Sequence, residues 1–301
     1  MSPIRNVVLA GVSGNLGPTI LAAVSASPLF TVTVFTRPGS TPSLPAGVKS
    51  VPVNYNSIDE LAQHLKGQDA VISAIPPTAA QQQTNLIHAA VAAKVSRFLP
   101  SEFGSDLDNA ANRAAPVYGP KIAAQELLKA LAAEGKISYT IVYNGAFLDW
   151  GLKVGFPLDP RKKVAALHDG GERLYSTTTL GAVGKAVVGV LSKPEETKDR
   201  VVRVGEAATT LKEVLALAQE IVGSDGWAVT EPDTTEEAEK ALVKIKQGVL
   251  TGETIMPFIF KAIWGAENGG HFNTTDNELL GIQTLDKADI KKIIQNVVDG
   301  N

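Results

Sequence analysis

Short apolar runs and longer amphipathic stretches alternate along the first half of the chain. Asn6–Ala10 (NVVLA) has the unbroken apolar character of a strand buried on both faces of a parallel sheet. The glycine-rich GVSGNLG follows, after which Ile20, Leu21 and Val24 share one face of a predicted helix. Thr31–Phe35, rich in β-branched residues, reads as a second strand and Val48–Val53 as a third. Ser57–Leu65 reads as a helix, opened by Ser57 and Glu60 at capping-box spacing. Ala70–Ile75 predicts a fourth strand, Ala79–Ala93 a helix and Arg97–Leu99 the end of a fifth strand. Lys121–Ala133 is helical with Pro120 at its first turn, and Ser138–Tyr143 is a sixth strand. This rhythm predicts an α/β fold of Rossmann type, a doubly wound parallel sheet.

After Trp150 the rhythm changes. Val164–Leu167 and Arg173–Ser176 flank HDGGE and predict a hairpin. Helices are expected near Leu180–Leu191, Leu211–Val222, Thr235–Gln247 and Lys287–Val298, two of them announced by capping-box pairs, Thr210 with Glu213 and Thr234 with Glu237. The expected organisation is a nucleotide-binding domain over residues 1–150 and a smaller α+β substrate lobe over 151–301, the second able to return segments to the first.

Composition acts mainly by exclusion. The 301 residues are 44% hydrophobic and 20% charged, with a net charge of −3, so no basic surplus points to nucleic acid or an anionic membrane. Between Val7 and Thr36 there is no charged residue, yet Gly11, Gly14, Gly17, Pro18 and Pro28 break the stretch into pieces too short for a membrane span. The apolar run after Arg5 is also too short for a signal peptide, and the expectation is a cytoplasmic protein. No cysteine is present, which excludes disulfides, thiolate metal sites and a cysteine nucleophile. His64, His88, His168 and His271 lack metal-ligand spacing and read as surface or loop residues, so no metal is expected. Glu102, Asp106 and Asp108 read as a solvated acidic loop, and no G-x-S-x-G nucleophile context occurs.

The chemistry concentrates at the first strand–helix turn. Gly11, Gly14 and Gly17 occur at G-x-x-G-x-x-G spacing, with Ser13, Asn15 and Leu16 between them. Glycines permit a tight turn and close approach of backbone to a pyrophosphate, while the following helix offers free N–H groups and a positive dipole end. After the second strand, Thr36-Arg37-Pro38-Gly39-Ser40 contains no acid. An acid there would bind the 2′-hydroxyl of NAD, whereas a guanidinium suits the 2′-phosphate of NADP, so NADP(H) is the expected cofactor. Ala74, Ile75 and Pro76 follow the fourth strand and are placed along the adenosine side. Ser101 and Glu102 follow the fifth, where polar side chains reach the nicotinamide ribose or substrate.

GVSGNLG, GQDAVISAIPP and RFLPSEFGSD together resemble the isoflavone-reductase-like branch of the NmrA-like family of atypical short-chain dehydrogenases. The resemblance continues through YTIVYNGAF and more weakly into residues 170–222. It implies NADPH-dependent reduction of a small, often phenolic or conjugated carbonyl-type compound. It also implies that Lys121 is the catalytic and ribose-holding residue beside the nicotinamide, with Phe147 near the same ring. Tyr118 is spaced Tyr-x-x-Lys rather than Tyr-x-x-x-Lys, with Pro120 between, and is therefore not expected to serve as the acid. Two further readings stay open on the same fold: a non-catalytic NADP(H) sensor with a protein partner, and a dehydratase or isomerase without net redox change.

Overall fold

The computed structural model describes residues 3–300. Its first half runs β1 (Asn6–Ala10), α1 (Gly17–Ala26), β2 (Thr31–Thr36), β3 (Lys49–Pro52), α2 (Ile58–Leu65), β4 (Ala70–Ser73), α3 (Ala80–Ala92), β5 (Arg97–Leu99), α4 (Ala110–Ala114), α5 (Gly119–Ala133) and β6 (Ser138–Tyr143). The second half comprises β7 (Ala146–Phe147), α6 (Leu148–Val154), β8 (Leu158–Asp159), β9 (Val164–Ala166), β10 (Tyr175–Thr178), α7 (Leu180–Ser192), β11 (Arg200–Arg203) and β12 (Ala207–Thr209). It continues with α8 (Leu211–Val222), β13 (Ala228–Thr230), α9 (Thr234–Lys246), α10 (Gly252–Trp264), α11 (Asn277–Leu280) and α12 (Lys287–Val298).

Seven strands form one parallel sheet in the order β11-β6-β5-β4-β1-β2-β3. Strand order reverses between β1 and β4, so the crevice at their carboxyl ends is the switch point where such sheets hold ligands. On one face, Leu61, Leu65, Leu86, Ile87 and Leu128 from α2, α3 and α5 cover Val8, Val71, Phe98 and Ile141. On the other, Ile20, Leu21 and Val24 of α1 and Val183, Val187 and Val190 of α7 cover Val7, Leu9, Ile72 and Leu99. These double-sided contacts explain the continuous apolar runs of β1 and β4.

The chain beyond Trp150 also contributes to the large sheet. Its α7 packs into the sheet's core and its β11 extends the sheet beside β6. RVVR gave no strand signal because its arginines stand at both ends of a short edge strand. Buried Arg97 helps fasten this edge. Its guanidinium donates to Ser138 Oγ (2.8 Å), Thr140 Oγ1 (2.8 Å), Thr197 Oγ1 (3.1 Å) and the Pro194 carbonyl (2.6 Å). Burial pulls its pKa down to about 10, opposed by Asp199.

Two small sheets and two further apolar clusters, around Trp264 and around Phe258, complete the described residues. β10 pairs antiparallel with β12 and parallel with β7, while β9 pairs antiparallel with β8 and parallel with β13. The expected hairpin across HDGGE is therefore wrong: its two arms lie in different sheets. Asp169, Gly170 and Gly171 all adopt positive φ, and Asp169 turns its carboxylate to Thr234 N (2.8 Å) and Oγ1 (2.9 Å) instead of closing a strand turn. For the same reason Thr234 does not cap α9. Asp233 does, accepting from Thr235 N and Glu236 N. Ser57 and Thr210 cap α2 and α8 as expected. Helix α10 escaped the periodicity because Pro257 lies inside it.

Arg97→Met should lower the unfolding free energy by about 3 kcal/mol or more, because it strands several buried acceptors at once. Urea denaturation monitored by fluorescence reads this directly, and a loss below about 1 kcal/mol would contradict the fastening role.

Candidate active site

The glycine loop is shaped by backbone contact. Gly11 has φ 97°, and a Cβ there would lie 2.4 Å from the Ala74 carbonyl oxygen. A Cβ on Gly17 would lie 2.2 Å from the Gly11 carbonyl oxygen. Gly14 differs: its nearest such neighbour is 3.9 Å away, so no protein packing demands glycine at that point. Gly14 and its exposed neighbours Ser13 and Asn15 face open space. The first turn of α1 has no side-chain cap and no acid, which leaves its N–H groups and positive dipole end for a ligand.

A cavity of ≈ 570 Å³ runs along the carboxyl ends of β1, β2, β4 and β5. Gly11, Ser13, Gly14, Asn15, Leu16, Gly17, Arg37, Ala74, Ile75, Pro76, Ser101, Lys121 and Phe147 all line it. The sequence reading thus placed its residues in one crevice. It missed Ser40, Tyr55, Gln82 and Phe103 in the same wall. Ser40 lies in a turn closed by its N–H on the Arg37 carbonyl (3.0 Å), a proximity the TRPGS stretch already hinted at. Tyr55 is held by its hydroxyl on the Phe35 carbonyl (3.0 Å), for which no sequence signal exists.

Arg37 is exposed, and no carboxylate among the described residues claims it. Three strand spacings separate β2 from β5 in the sheet, about 14 Å. Arg37 therefore stands at one end of the crevice and Ser101 and Lys121 at the other, with the glycine loop between.

Lys121 occupies the first turn of α5 and donates to the backbone carbonyl of Glu102. Desolvation holds its pKa below the usual lysine range, opposed by the Glu102 charge. The helix N-terminus acts in the same direction as desolvation. Tyr118 is buried and donates to Ser105 Oγ (3.0 Å), and burial pushes its pKa up to about 12. It does not line the cavity.

Glu102 and His168 both lie elsewhere than their sequence surroundings suggest. Glu102 is not part of a solvated acidic loop; it is 1% exposed, because a tight turn with its N–H on the Pro100 carbonyl (2.8 Å) folds it inward. Asp106 and Asp108 both pair with Arg203, at 2.7 Å each. His168 is not a surface residue but is 2% exposed, packed against both Phe260 (4.3 Å) and Trp264 (5.0 Å), which also meet each other (5.9 Å). Burial lowers its pKa to about 4, which keeps it neutral.

The fold and crevice define a Rossmann-type α/β protein with a glycine loop at its switch point. The chain belongs to the NmrA-like family, whose model matches residues 4–226. It is 31% identical to oxidoreductase aprR of Aspergillus flavus over 303 residues, covering 98% of this chain and 99% of that one. It is 36% identical to phenylcoumaran benzylic ether reductase PT1 of Pinus taeda over 130 residues, 40% of this chain and 41% of the relative. Among solved structures it resembles the leucoanthocyanidin reductase–NADPH complex of Vitis vinifera, with a TM-score of 0.77, 17% identity and coverage of 98% and 99% of the two chains. Among the described residues no helix is long and apolar enough to cross a membrane.

Gly11→Ala and Gly17→Ala should each lower stability by about 2 kcal/mol or more, since backbone must move to admit the methyl. Gly14→Ala should fold with an unchanged melting temperature. Three matching melting curves would refute the distinction.

Proposed function

We propose that this oxidoreductase uses NADPH to reduce a small phenolic or conjugated carbonyl-type substrate. The observation that carries the reading is the layout of one crevice: an unpaired guanidinium at one end, an uncapped helix behind a glycine loop in the middle, and a desolvated lysine at the other. Residues 1–150 then form most of the cofactor site, and the lobe built from 151–301 supplies the substrate's surroundings.

The residues fit the cofactor in kind and order. N–H groups of the glycine loop and α1 take the pyrophosphate, Arg37 pairs with the 2′-phosphate, and the Ala74–Pro76 backbone lines the adenosine side. Ser101, Lys121 and Phe147 are left for the nicotinamide end. NADPH, when bound, supplies the hydride. Lys121 holds the ribose and gives a proton to the substrate atom that gains negative charge. A lysine pKa lowered toward the working pH suits that exchange.

Phe147 also supports an apolar, aromatic substrate. It borders both the main crevice and a small apolar cleft formed by Leu152, Phe156, Leu158 and Trp264, and packs edge-on against Trp150 at 6.3 Å. The name of one relative, phenylcoumaran benzylic ether reductase, points the same way.

NADPH absorbance should fall with some member of a panel of phenols, enones and quinones. A bound cofactor that is never consumed would favour the sensor. Lys121→Ala should reduce kcat about 100-fold or more with NADPH affinity nearly retained, and an unchanged kcat would remove Lys121 from the mechanism. Arg37→Ala should raise the Kd for NADPH about tenfold or more while leaving NADH nearly untouched, and calorimetry showing equal losses would refute the 2′-phosphate assignment.

A further inference from the structure

Beneath Lys121 lies a buried polar cluster that the fold alone does not require. Glu102 Oε2 accepts from Gln125 Nε2 at 2.9 Å. Its Oε1 is buried with no hydrogen-bond partner. The orientation of the Gln125 amide follows from its surroundings: Arg113, which can only donate, approaches Gln125 Oε1 at 3.3 Å, so the NH₂ must face Glu102 and the Tyr143 hydroxyl (3.1 Å). Lys121 and Gln125 are one helical turn apart on α5, so the ammonium meets the backbone carbonyl of Glu102 while the amide meets its carboxyl group.

An orphaned carboxylate oxygen, on the residue whose backbone carbonyl holds a desolvated ammonium, is an expensive arrangement for a structural role. A neutral side chain of similar size would pack there without that penalty. Local costs of this kind concentrate where a site needs a particular charge. Burial, the largest influence, pushes the Glu102 pKa up; Lys121, the Gln125 donor and Arg113 oppose it and favour the ionised carboxylate. Tyr118 and Tyr143 also face the group, and the Glu102 charge helps keep both phenols protonated. Arg203 lies beyond Tyr143 with its own acids, Asp106 and Asp108.

We propose that Glu102 is a positioning residue that keeps the Lys121 ammonium protonated and oriented at the floor of the crevice, with Gln125 holding the carboxylate in its ionised form. The backbone carbonyl of Glu102 fixes where the ammonium sits, and its side chain fixes the charge. This rests on the reading of Lys121 as proton donor, but its central claim concerns the protein without cofactor.

The sign follows from the charges. Desolvation lowers the Lys121 pKa and ionised Glu102 raises it, so removing the carboxylate must let the pKa fall further. Competitive labelling of amines with trace acetic anhydride over a pH series, with the Lys121 peptide read by mass spectrometry, measures that pKa in cofactor-free protein. Glu102→Gln should move the Lys121 titration to lower pH by about one unit or more, and Glu102→Asp should restore much of the shift. Gln125→Met removes the donor that favours the ionised carboxylate and should move Lys121 in the same direction. It serves as the test if Glu102→Gln does not fold. In NADPH turnover the alkaline limb of kcat should move with the labelling pKa, whereas a merely structural loss would lower the rate without moving the limb. A Lys121 titration unchanged in a folded Glu102→Gln or Gln125→Met protein overturns the proposal. A shifted titration without NADPH consumption supports it and counts against the reductase reading instead.

Discussion

The site depends on how closely two pieces of backbone approach at the switch point. Gly11 packs so tightly against the carbonyl after β4 that no side chain fits between them, and Gly17 packs as closely on Gly11. These two contacts seat the loop between β1 and β4 and aim the first turn of α1 along the crevice. Gly14, freed from packing, leaves the loop's outer face bare. One loop thus separates structural glycines from one whose missing side chain only a ligand would notice.

Charge is distributed along the crevice by a different rule at each end. Arg37 is exposed and unpaired, so its attraction for an anion is undiminished by an internal partner but is screened by solvent and salt. Lys121 is desolvated and lies near a buried acid, where the lower effective dielectric strengthens each interaction. The first arrangement suits selection between related ligands and the second suits control of a proton. Their separation follows from the order of strands in the sheet, not from sequence distance.

The second half of the chain serves the sheet as much as it builds a lobe. Helix α7 covers one face and β11 extends the edge, with Arg97 joining β5 and β6 to the turn that precedes β11. The lobe core is aromatic, with His168 held neutral against Phe260 and Trp264. Phe147 stands where this core meets the crevice, which is why a small apolar cleft opens on its far side.

Much of this was legible in the order of residues because it rests on local rules. Period and β-branching marked the first six strands, and glycine spacing marked the loop. The absence of an acid after β2 marked Arg37 as an exposed cation at one end of the crevice. What stayed hidden depends on partners distant in the chain. The HDGGE turn reads as a hairpin until Asp169 is seen accepting from Thr234, 65 residues away. RVVR becomes a strand only through β6, and α10 tolerates Pro257 only in its packed setting. Glu102 reads as one more solvated acid, because nothing nearby in sequence reveals that a tight turn buries it above Gln125. Residue order alone carried the strands and helices of the first half and the position of the glycine loop, since backbone propensity and side-chain periodicity act within a few residues. The tertiary structure alone decided which strands pair and which charges are desolvated, because burial and dielectric belong to the assembled fold.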